Sequence, residues 1–290
     1  MSIKKEKKSG ENQLMQIWRR YKKRPAAMFG LVLFCLIVLM AIFADVLYDY
    51  EGQAIAQNIV GRFTKPCAEH PFGTDDYGRD ILARVVHGSR LSLGIGLLSI
   101  AIAVIFGTSI GAVVGYRGGK LDMVVMRVMD ILMAIPNILM AMIIVAVFGA
   151  NAITLSIALG IANIPTFVRV TRGTVLTVRE QEYIESARAI GETDTTIILK
   201  HILPNCFAPI LVQFTVTLAM SILSVSGLSY LGMGIQPPAP EWGSMLSASR
   251  SYLNNASYMA IFPGLAIVAT ILSLNLVGDG LRDATDPKLR

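Results

Sequence analysis

Charged residues are scarce in this chain, and their scarcity is the first constraint on what the protein can be. Asp, Glu, Lys and Arg make up 16% of its 290 residues, whereas hydrophobic residues make up 53%. Soluble domains average about 25% charged residues. The mean hydropathy of +0.57 and the long apolar runs therefore exclude an ordinary soluble domain and place the chain in the membrane class.

Cysteine and histidine are also rare, and this argues against two further kinds of protein. The sequence has three cysteines, of which Cys35 and Cys206 lie in or beside apolar runs, and these cannot form a disulfide framework. Its three histidines lie far apart and form no cluster of metal-ligand spacing. We expect neither a disulfide scaffold nor a metal site.

The chain also lacks a recognisable energy source for transport. The nearest approach to a phosphate-binding loop, Gly118-Gly119-Lys120, has Val114 where the first glycine of the motif belongs and Leu121 where Ser or Thr belongs. No apolar run carries the series of acids expected of a proton relay. The sequence thus predicts a membrane pathway without an ATP site or any other cofactor of its own.

Six apolar runs are each long enough to cross a bilayer, because about 20 helical residues span an apolar core about 30 Å thick. The fourth run is the weakest, since Asn163 and Pro165 lie inside it. We therefore predict an all-α polytopic membrane protein with six transmembrane helices. The predicted spans cover residues 26–47, 91–114, 124–148, 152–171, 207–230 and 257–278.

The distribution of lysine and arginine predicts how these spans are oriented. Six spans place both termini on one side, and the segments on that side carry 20 of the 26 Lys and Arg residues. By the positive-inside rule, both termini are expected in the cytoplasm. Segment 172–204 then also lies in the cytoplasm, and segments 48–90 and 231–256 lie outside. The excess of Lys and Arg that gives the pI of about 9.3 is explained by membrane orientation. We therefore expect no nucleic-acid partner.

The first 25 residues are strongly basic, as a signal peptide's first residues also are. The apolar run that follows is long enough to span, and no Ala-x-Ala cleavage site closes it. We therefore interpret residues 26–47 as an uncleaved anchor. Trp18 and Tyr21 are expected to form an amphipathic lead-in at the membrane interface.

Small residues in the second span predict a close helix contact. Gly107, Gly111 and Gly115 recur one helical turn apart. In lipid, where apolar burial does not drive helices together, such a row allows two backbones to approach closely. We expect a packing seam here.

Polar residues inside the spans leave two interpretations open. Asp130 lies early in the third span and requires a partner, and we expect a structural pair with Arg127, one turn before it, near the cytoplasmic boundary. The alternative is that Asp130 takes part in substrate passage. Asn137, Asn163 and Asn275 either line a polar path or bond between helices.

One long polar interval, from Arg169 to Asn205, lies between two spans and is predicted to form a helix-turn-helix. Tyr183, Ala187 and Ile190 recur at helical spacing. Together with the neighbouring Ile184, they predict a first helix with an apolar underside.

Turn residues follow that helix in the same interval. Gly191 is expected to end it, because glycine tolerates the left-handed backbone of a helix end. Thr193 or Asp194 can cap a second short helix, which Pro204 either breaks or separates from the next span. This second helix carries Ile197, Ile198 and Ile202. Such a unit is either a docking lever for a partner or an ordinary loop packed on the bilayer surface.

A resemblance to a known family favours the lever. Glu185-Ser186-Ala187-x-x-x-Gly191, followed after nine residues by His201-Ile202-Leu203-Pro204, closely resembles the Glu-Ala-Ala loop of ABC-importer permeases. In that family the loop is a coupling helix that docks on the ATP-binding subunit. Ser186 and His201 depart from the general pattern, but a His-x-Leu-Pro ending is similar to the peptide-importer branch. The residues expected to couple are Glu185, Ser186, Ala187, Gly191, Leu203 and Pro204.

Three further motifs extend the resemblance over most of the chain. They are His70-Pro-Phe-Gly-Thr-Asp-Asp-Tyr-Gly-Arg-Asp80, Gly232-Met-Gly-Ile-Gln-Pro-Pro-Ala-Pro-Glu-Trp-Gly243 and Gly278-Asp-Gly-Leu-Arg-Asp283 with Asp286-Pro287. Together they resemble the second permease subunit of dipeptide and oligopeptide ABC importers, a group that includes nickel and glutathione permeases. The glycines and prolines of the first two motifs favour compact, ordered outer loops, which would form a gate, a platform for a binding protein or a plain structural cap.

The resemblance implies a domain plan and a set of partners. Residues 91–279 would form a type I ABC transmembrane domain containing the coupling loop 172–204, after a basic N-terminus (1–25), a first helix (26–47) and an outer loop (48–90), and before a cytoplasmic C-terminus (280–290). The partners would be a paralogous permease in a heterodimer, two subunits that use ATP and Mg, and an extracytoplasmic solute-binding protein. The implied location is the cytoplasmic membrane.

Three alternatives stay open at this point. Within the family, the cargo could be nickel, a metal chelate or glutathione instead of a peptide. Outside it, the chain could be a self-contained secondary transporter, or a membrane-embedded enzyme, which the lack of a catalytic constellation disfavours.

Overall fold

The computed structural model describes residues 13–285, whose backbone forms helices and turns with one isolated β-bridge between Thr74 and Asp80. Short π- or 3-10-helical turns cover Tyr50–Ile55, Ile59–Gly61, Ile197–Ile202 and Arg250–Tyr252. The predicted all-α class is confirmed. The α-helices are α1 (Gln13–Tyr21), α2 (Pro25–Ile42), α3 (Ala44–Leu47), α4 (Ile81–Arg117), α5 (Gly119–Met133), α6 (Asn137–Phe148), α7 (Ala152–Val178), α8 (Glu182–Ala189), α9 (Asp194–Thr196), α10 (Leu203–Tyr230), α11 (Trp242–Ser249) and α12 (Tyr258–Thr285).

Within the described residues, five helical stretches are long and apolar enough to cross a membrane, and these contain α2, α4, α7, α10 and α12. The predicted third span, 124–148, is not one straight helix. Instead, α5 and α6 meet at an angle of 82°. Pro136 immediately precedes α6, and a proline there cannot donate the amide hydrogen that a continuous helix would need. The bent pair, taken as one span, gives the sixth.

Two other predicted spans also differ in detail from the structure. The first is shorter than expected, because α2 ends at Ile42 and the separate turn α3 follows Phe43. The fourth, although it seemed weakest, is a continuous helix of 27 residues with Pro165 inside it. A proline within a transmembrane helix is tolerated where neighbouring helices satisfy the backbone, and more than half of this span is buried inside the protein.

The amphipathic lead-in takes the form of α1, which folds back against the other end of the chain. The ring of Tyr21 is buried, and its hydroxyl donates to the Ala27 carbonyl oxygen over 2.9 Å. A Cβ added at Gly280 would lie 2.3 Å from Cβ of Ala27. The start of α2 and the end of α12 therefore lie at the same end of the helical bundle. Trp18 is partly exposed and stacks on Tyr21, with the ring centroids 5.8 Å apart.

The predicted glycine seam is confirmed, and it joins α4 to α7. A Cβ at Gly107 would lie 2.5 Å from Cβ of Phe167, and one at Gly111 would lie 2.6 Å from the carbonyl oxygen of Val168. Such distances leave no room for a side chain, so these glycines allow the two backbones to touch. Helices α4 and α7 share the most extensive interface of the fold.

The seam also contains the string Gly107-Thr-Ser-Ile-Gly111, which matches the Gly-x-Ser-x-Gly pattern of serine hydrolases. That pattern needs a sharp turn between a strand and a helix. Here Ser109 lies inside α4, and its hydroxyl donates to the Ile105 carbonyl oxygen over 2.7 Å. This serine therefore follows the helix and is not presented on such a turn.

The first outer motif braces the start of α4. Arg79 donates from Nε to Asp75 Oδ2 over 2.6 Å, and both side chains are buried. Asp80 caps α4 by accepting from the backbone amide of Ala83 over 2.8 Å, and its other oxygen lies 2.8 Å from Nδ1 of His70. His70, Asp75, Arg79 and Asp80 thus have structural partners, whereas Oδ1 of Asp76 is buried without a hydrogen-bond partner and lies 3.8 Å from Nη2 of Arg79.

The two outer segments are joined to each other and to the bundle, so the prediction of compact, ordered loops is confirmed. Arg84 of α4 donates to the carbonyl oxygens of Ala54 and Pro238, over 2.8 and 3.2 Å. Tyr258, at the start of α12, donates from its hydroxyl to the Thr74 carbonyl oxygen over 3.3 Å.

Glu241 in the second outer motif caps α11 from a fully buried position. Its carboxylate accepts from the amides of Gly243 and Ser244, over 2.9 and 2.8 Å, and from the hydroxyl of Ser92 over 3.1 Å. Burial raises the pKa of Glu241, and these hydrogen bonds act in the opposite direction. The motif is therefore tied to α4 by a buried polar contact.

Replacement of Gly111 by valine should separate α4 from α7. The new side chain would collide with the α7 backbone, and overpacking of this kind costs about 1–3 kcal/mol. We expect a lower apparent unfolding temperature for the purified transporter, measured by intrinsic fluorescence.

Gly94→Val is the matched control, because it lies on the same helix and a Cβ there meets nothing within 4 Å. Equal unfolding temperatures for the two variants would contradict the seam.

Candidate functional site

The polar interval between α7 and α10 forms the predicted helix-turn-helix, and α8 is its first arm. Ile184 and Ala187 are buried against the inner ends of α4, α7 and α10. Tyr183 and Ile190 are instead 44% and 77% exposed. The prediction that Tyr183 and Ile190 belong to the apolar underside is therefore wrong. Successive residues of a helix are about 100° apart around its axis. Tyr183 and Ile190 therefore lie at the edges of a face centred between Ile184 and Ala187. The angular position of each residue, and not its spacing alone, would have predicted their exposure.

Gly191 ends α8 as predicted. Its φ of +86° is in the left-handed region, where glycine has no steric penalty. The amide of Gly191 donates to the Arg188 carbonyl oxygen over 3.0 Å, and the amide of Glu192 donates to the Ala187 carbonyl oxygen over 3.1 Å. This pair of bonds is a Schellman motif, which satisfies the last carbonyl groups of the helix.

The second arm is not a separate helix. Thr193 caps it, accepting from the amide of Thr196 over 3.4 Å, and Ile197 and Ile202 are buried as expected. The turn Ile197–Ile202 then continues directly into α10, in which Pro204 is the second residue. Pro204 therefore opens the next span and does not break the arm. Movement of the turn can pass into α10 without crossing a flexible joint.

Tyr116, at the inner end of α4, holds the two arms together. Its buried hydroxyl accepts from Nε of Arg188 over 3.2 Å and donates to Oδ1 of Asp194 over 3.0 Å. The guanidinium of Arg188 also lies over the tyrosine ring, 4.9 Å from its centroid. Arg179, at the end of α7, donates to the Gly115 carbonyl oxygen over 2.8 Å. The helix-turn-helix is thus fixed to three long helices.

His201 has a structural role that the sequence did not reveal. Its Nε2 lies 2.9 Å from Oε2 of Glu192, and both side chains are partly exposed. The contact links the residue after Gly191 to the second arm. His201, which departs from the general family pattern, thus makes a polar contact across the turn.

The structure divides the predicted coupling residues between two sides of the loop. Glu185, Ser186, Gly191 and Pro204 are exposed. Leu203 is partly buried, and it packs against the cluster that contains Ile184. Ala187 is buried, so its expected place on an external docking surface is corrected to a place in the chain's own packing.

Sequence analysis missed two exposed apolar side chains near this tip. They are Ile190 and Leu199, which are 77% and 59% exposed. Exposed apolar side chains are common at interaction surfaces. We call the four exposed residues Glu185, Ser186, Ile190 and Leu199 the coupling tip.

The partner of Asp130 is Arg169 of α7 and not Arg127, so that prediction is wrong. Oδ1 of Asp130 lies 2.7 Å from Nη2 of Arg169. A second bridge between the same helices joins Asp122 to Arg172, with Nη2–Oδ2 and Nε–Oδ1 distances of 2.6 and 2.9 Å. Both acidic residues of α5, Asp122 and Asp130, are therefore paired with arginines of α7.

The asparagines divide between the two open interpretations. Asn137 donates to Oδ1 of Asn163 over 3.3 Å, which bonds α6 to α7. Asn163 also donates to the Leu159 carbonyl oxygen over 2.9 Å. Asn275 is exposed on α12. The first two therefore link helices, and the exposed Asn137 also presents an amide to the surface.

Comparison with known protein families accounts for this architecture. The model of binding-protein-dependent transport system inner membrane components matches residues 107–290, and the N-terminal transmembrane domain of oligopeptide transport permease C matches residues 12–66. The chain belongs to the first of these families. It is a non-catalytic membrane subunit of an ABC importer.

Individual relatives and a solved structure agree with the family. The dipeptide transport system permease protein DppC of Alkalihalophilus pseudofirmus is 44% identical over 275 residues, which cover 95% of this chain and 90% of that protein. The glutathione transport system permease protein GsiD of Pectobacterium atrosepticum is 40% identical over 284 residues, covering 98% and 94%. GsiD of Escherichia coli O157:H7 is 43% identical over 277 residues, covering 95% and 90%.

The structural comparison supports the fold alone. An inward-facing MetNI methionine ABC transporter structure has a TM-score of 0.59 and is 19% identical. The match covers 71% of this chain and 98% of that chain.

Replacement of Tyr116 by phenylalanine should loosen the helix-turn-helix while keeping the ring. It removes two hydrogen bonds, which together stabilise the loop by about 1–2 kcal/mol. We expect amide hydrogen exchange in residues 182–196 to accelerate roughly 5- to 30-fold, measured by mass spectrometry on the assembled transporter.

Tyr183→Phe is the control in the same loop, because within the described residues the Tyr183 hydroxyl makes no hydrogen bond. Unchanged exchange in the Tyr116 variant would show that this hydroxyl does not hold the arms.

Proposed function

We propose that this chain forms one half of the translocation pathway of an importer for dipeptides and oligopeptides in the cytoplasmic membrane. A paralogous permease would supply the other half, two ATP-binding subunits the energy, and an extracytoplasmic solute-binding protein the cargo. The observation that carries the proposal is the helix-turn-helix, which is fixed to α4, α7 and α10 and presents an exposed tip.

Helix contacts support the proposed orientation. A Cβ at Gly278 would lie 2.5 Å from Oγ1 of Thr215, so the end of α12 lies beside the first half of α10. The coupling tip precedes α10 in the chain, so it lies at the end of the bundle where α2 begins and α12 ends. The excess of Lys and Arg in the segments at this end favours the cytoplasm.

The ATP-binding subunits would displace the coupling tip, and the tip would displace the long helices α10 and α4. When ATP binding closes the ATP-binding subunits, the two coupling tips of the permease pair move together. Because the second arm runs without interruption into α10, displacement of the tip tilts this helix. Tyr116 carries the same displacement into α4. The nucleotide thus shifts the population between inward- and outward-open states without touching this chain.

The cargo is proposed from the relatives. A dipeptide permease and glutathione permeases match the chain over nearly its whole length. Glutathione is itself a small peptide, and it is the second candidate because its permeases are of comparable identity. Binding-protein delivery, and not a gradient, would then decide what enters.

Gly191→Pro should uncouple transport from ATP hydrolysis. Proline fixes φ near −65° and removes the amide that bonds to Arg188, so the turn at φ +86° cannot form. We expect dipeptide uptake into proteoliposomes to fall at least tenfold, while the complex still co-purifies. Gly173→Ala is the control, since a Cβ there meets nothing within 4 Å and the helical backbone tolerates alanine. Wild-type uptake by the proline variant would argue against the lever.

The cargo and the need for partners are tested in one reconstitution. The complete transporter with its binding protein should import labelled L-alanyl-L-alanine only when ATP is present inside the vesicles. Unlabelled glutathione serves as the competitor. Uptake by this chain alone, driven by a proton or sodium gradient, would favour the secondary transporter instead.

A further inference from the structure

A cavity of about 560 Å³ lies at the inner end of the bundle, between the start of α2 and the end of α12. Sites for small molecules usually measure about 300–1,000 Å³, so the cavity can hold a group of that size. No residue of the coupling tip lines it. Its charged lining residues are Lys23, Arg24, Asp279, Arg282 and Asp283.

Helices α2 and α12 run antiparallel along this cavity, and their contacts give the order of the lining residues in depth. Ala27 meets Gly280, where an added Cβ would lie 2.3 Å from Cβ of Ala27. One turn nearer the proposed cytoplasmic end, Arg24 forms an ion pair with Asp283. Leu276, one turn deeper on α12, also lines the cavity. The cavity is therefore charged at its inner end and apolar at its deeper end.

The charged end lies at the level where the first span begins. Helix α2 starts at Pro25 and carries no charged residue, and three basic residues (22–24) directly precede it. On the cytoplasmic side, basic residues of this kind adjoin the lipid headgroups. Asp279 and Asp283 are separated by about 6 Å along α12, and the headgroup layer of one leaflet is about 5–7 Å thick. The cavity thus spans this layer, with Leu276 at the start of the apolar core.

Charges of both signs line the cavity, and only some of them are matched. Arg24 is paired with Asp283, whereas Lys23, Asp279 and Arg282 form no ion pair among residues 13–285. The side chain of Arg24 does not cap α2, so the first amides of this helix add donors to the basic side. Two cations and one carboxylate are left to meet a ligand.

A zwitterionic phospholipid headgroup matches this lining. Guanidinium and ammonium groups bind phosphate, and a carboxylate accepts hydrogen bonds from an ammonium. Phosphatidylethanolamine carries a phosphate and an ammonium, joined by a short ethyl chain. An anionic headgroup would leave Asp279 unmatched beside a negative charge. A free phosphate would also leave the apolar wall at Leu276 without a partner. The charges and their depth thus favour a zwitterionic lipid.

We propose that this cavity binds the phosphoethanolamine headgroup of a phospholipid in the inner leaflet. Lys23 and Arg282 contact the phosphate, Asp279 receives the ammonium, and the acyl chains follow Leu276 into the bilayer. The lipid joins the first span to the last one at their cytoplasmic ends. The inference goes beyond the proposed function, because it requires no particular cargo.

The first experiment measures binding of dioctanoyl phosphatidylethanolamine to the complete transporter in detergent, by native mass spectrometry. K23Q/R282Q should weaken the tightest binding about tenfold, because contacts to a charged phosphate are lost. R117Q/K120Q is the matched control, since it removes the same charges from exposed positions at the inner end of the bundle. Equal affinities of the two double variants would overturn the site. A wild type that binds no lipid would do so too, because a partner subunit then covers the cavity.

The second experiment tests the headgroup. D279N should weaken binding of phosphatidylethanolamine about threefold, as expected for one exposed ion pair. It should not weaken binding of dioctanoyl phosphatidylglycerol, which has no ammonium. E180Q, at an exposed position of the same charge, should leave both affinities unchanged. Equal binding of the two lipids by the wild type would contradict the place given to the ammonium.

Competition separates a lipid from a soluble phosphate. Inorganic phosphate and free phosphoethanolamine, at concentrations equal to that of the lipid, should not displace it, because burial of the acyl chains adds to its affinity. Displacement by inorganic phosphate would show a site for the free anion and would overturn the lipid. None of these assays measures transport, so failure of the proposed cargo would leave their outcome unchanged.

Discussion

Helices α4 and α7 touch along Gly107, Gly111 and Gly115, and the positions of Tyr116, Arg169 and Arg172 depend on that approach. The seam brings Tyr116 to the end of α7, where it can reach the helix-turn-helix. It also fixes the level at which α7 presents Arg169 and Arg172 to α5. In lipid, apolar side chains give no drive for association, so close backbone contact is the means by which the bundle obtains a defined arrangement.

The helix-turn-helix combines rigidity with an exposed tip. Ile184, Ala187, Ile197 and Ile202 of its underside are buried, and its turn is closed by the Schellman motif at Gly191. Its second arm and α10 are one continuous helical stretch, which is the arrangement that the proposed coupling role requires. The buried position of Ala187 shows that a small residue in this motif serves the chain's own packing. Docking would then fall to the exposed residues, including Ile190.

The outer side of the bundle is organised by different chemistry. Buried charges there are matched within the loops, as Arg79 is by Asp75 and Arg84 is by the carbonyl oxygens of Ala54 and Pro238. Both outer motifs are thereby joined to α4, whose inner end carries Tyr116. One long helix of 37 residues thus connects the outer segments to the proposed docking loop.

Local patterns in the sequence by themselves determined the all-α class, most of the spans, the glycine seam and the turn at Gly191. Each of these follows from composition, spacing or the backbone freedom of one residue. Tertiary structure decided the rest. It gave Asp130 its partner on another helix, bent the third span at Pro136 and chose which face of α8 is buried. The reason is physical: periodicity describes a helix in isolation, whereas ion pairs and burial depend on neighbours that are distant in the chain.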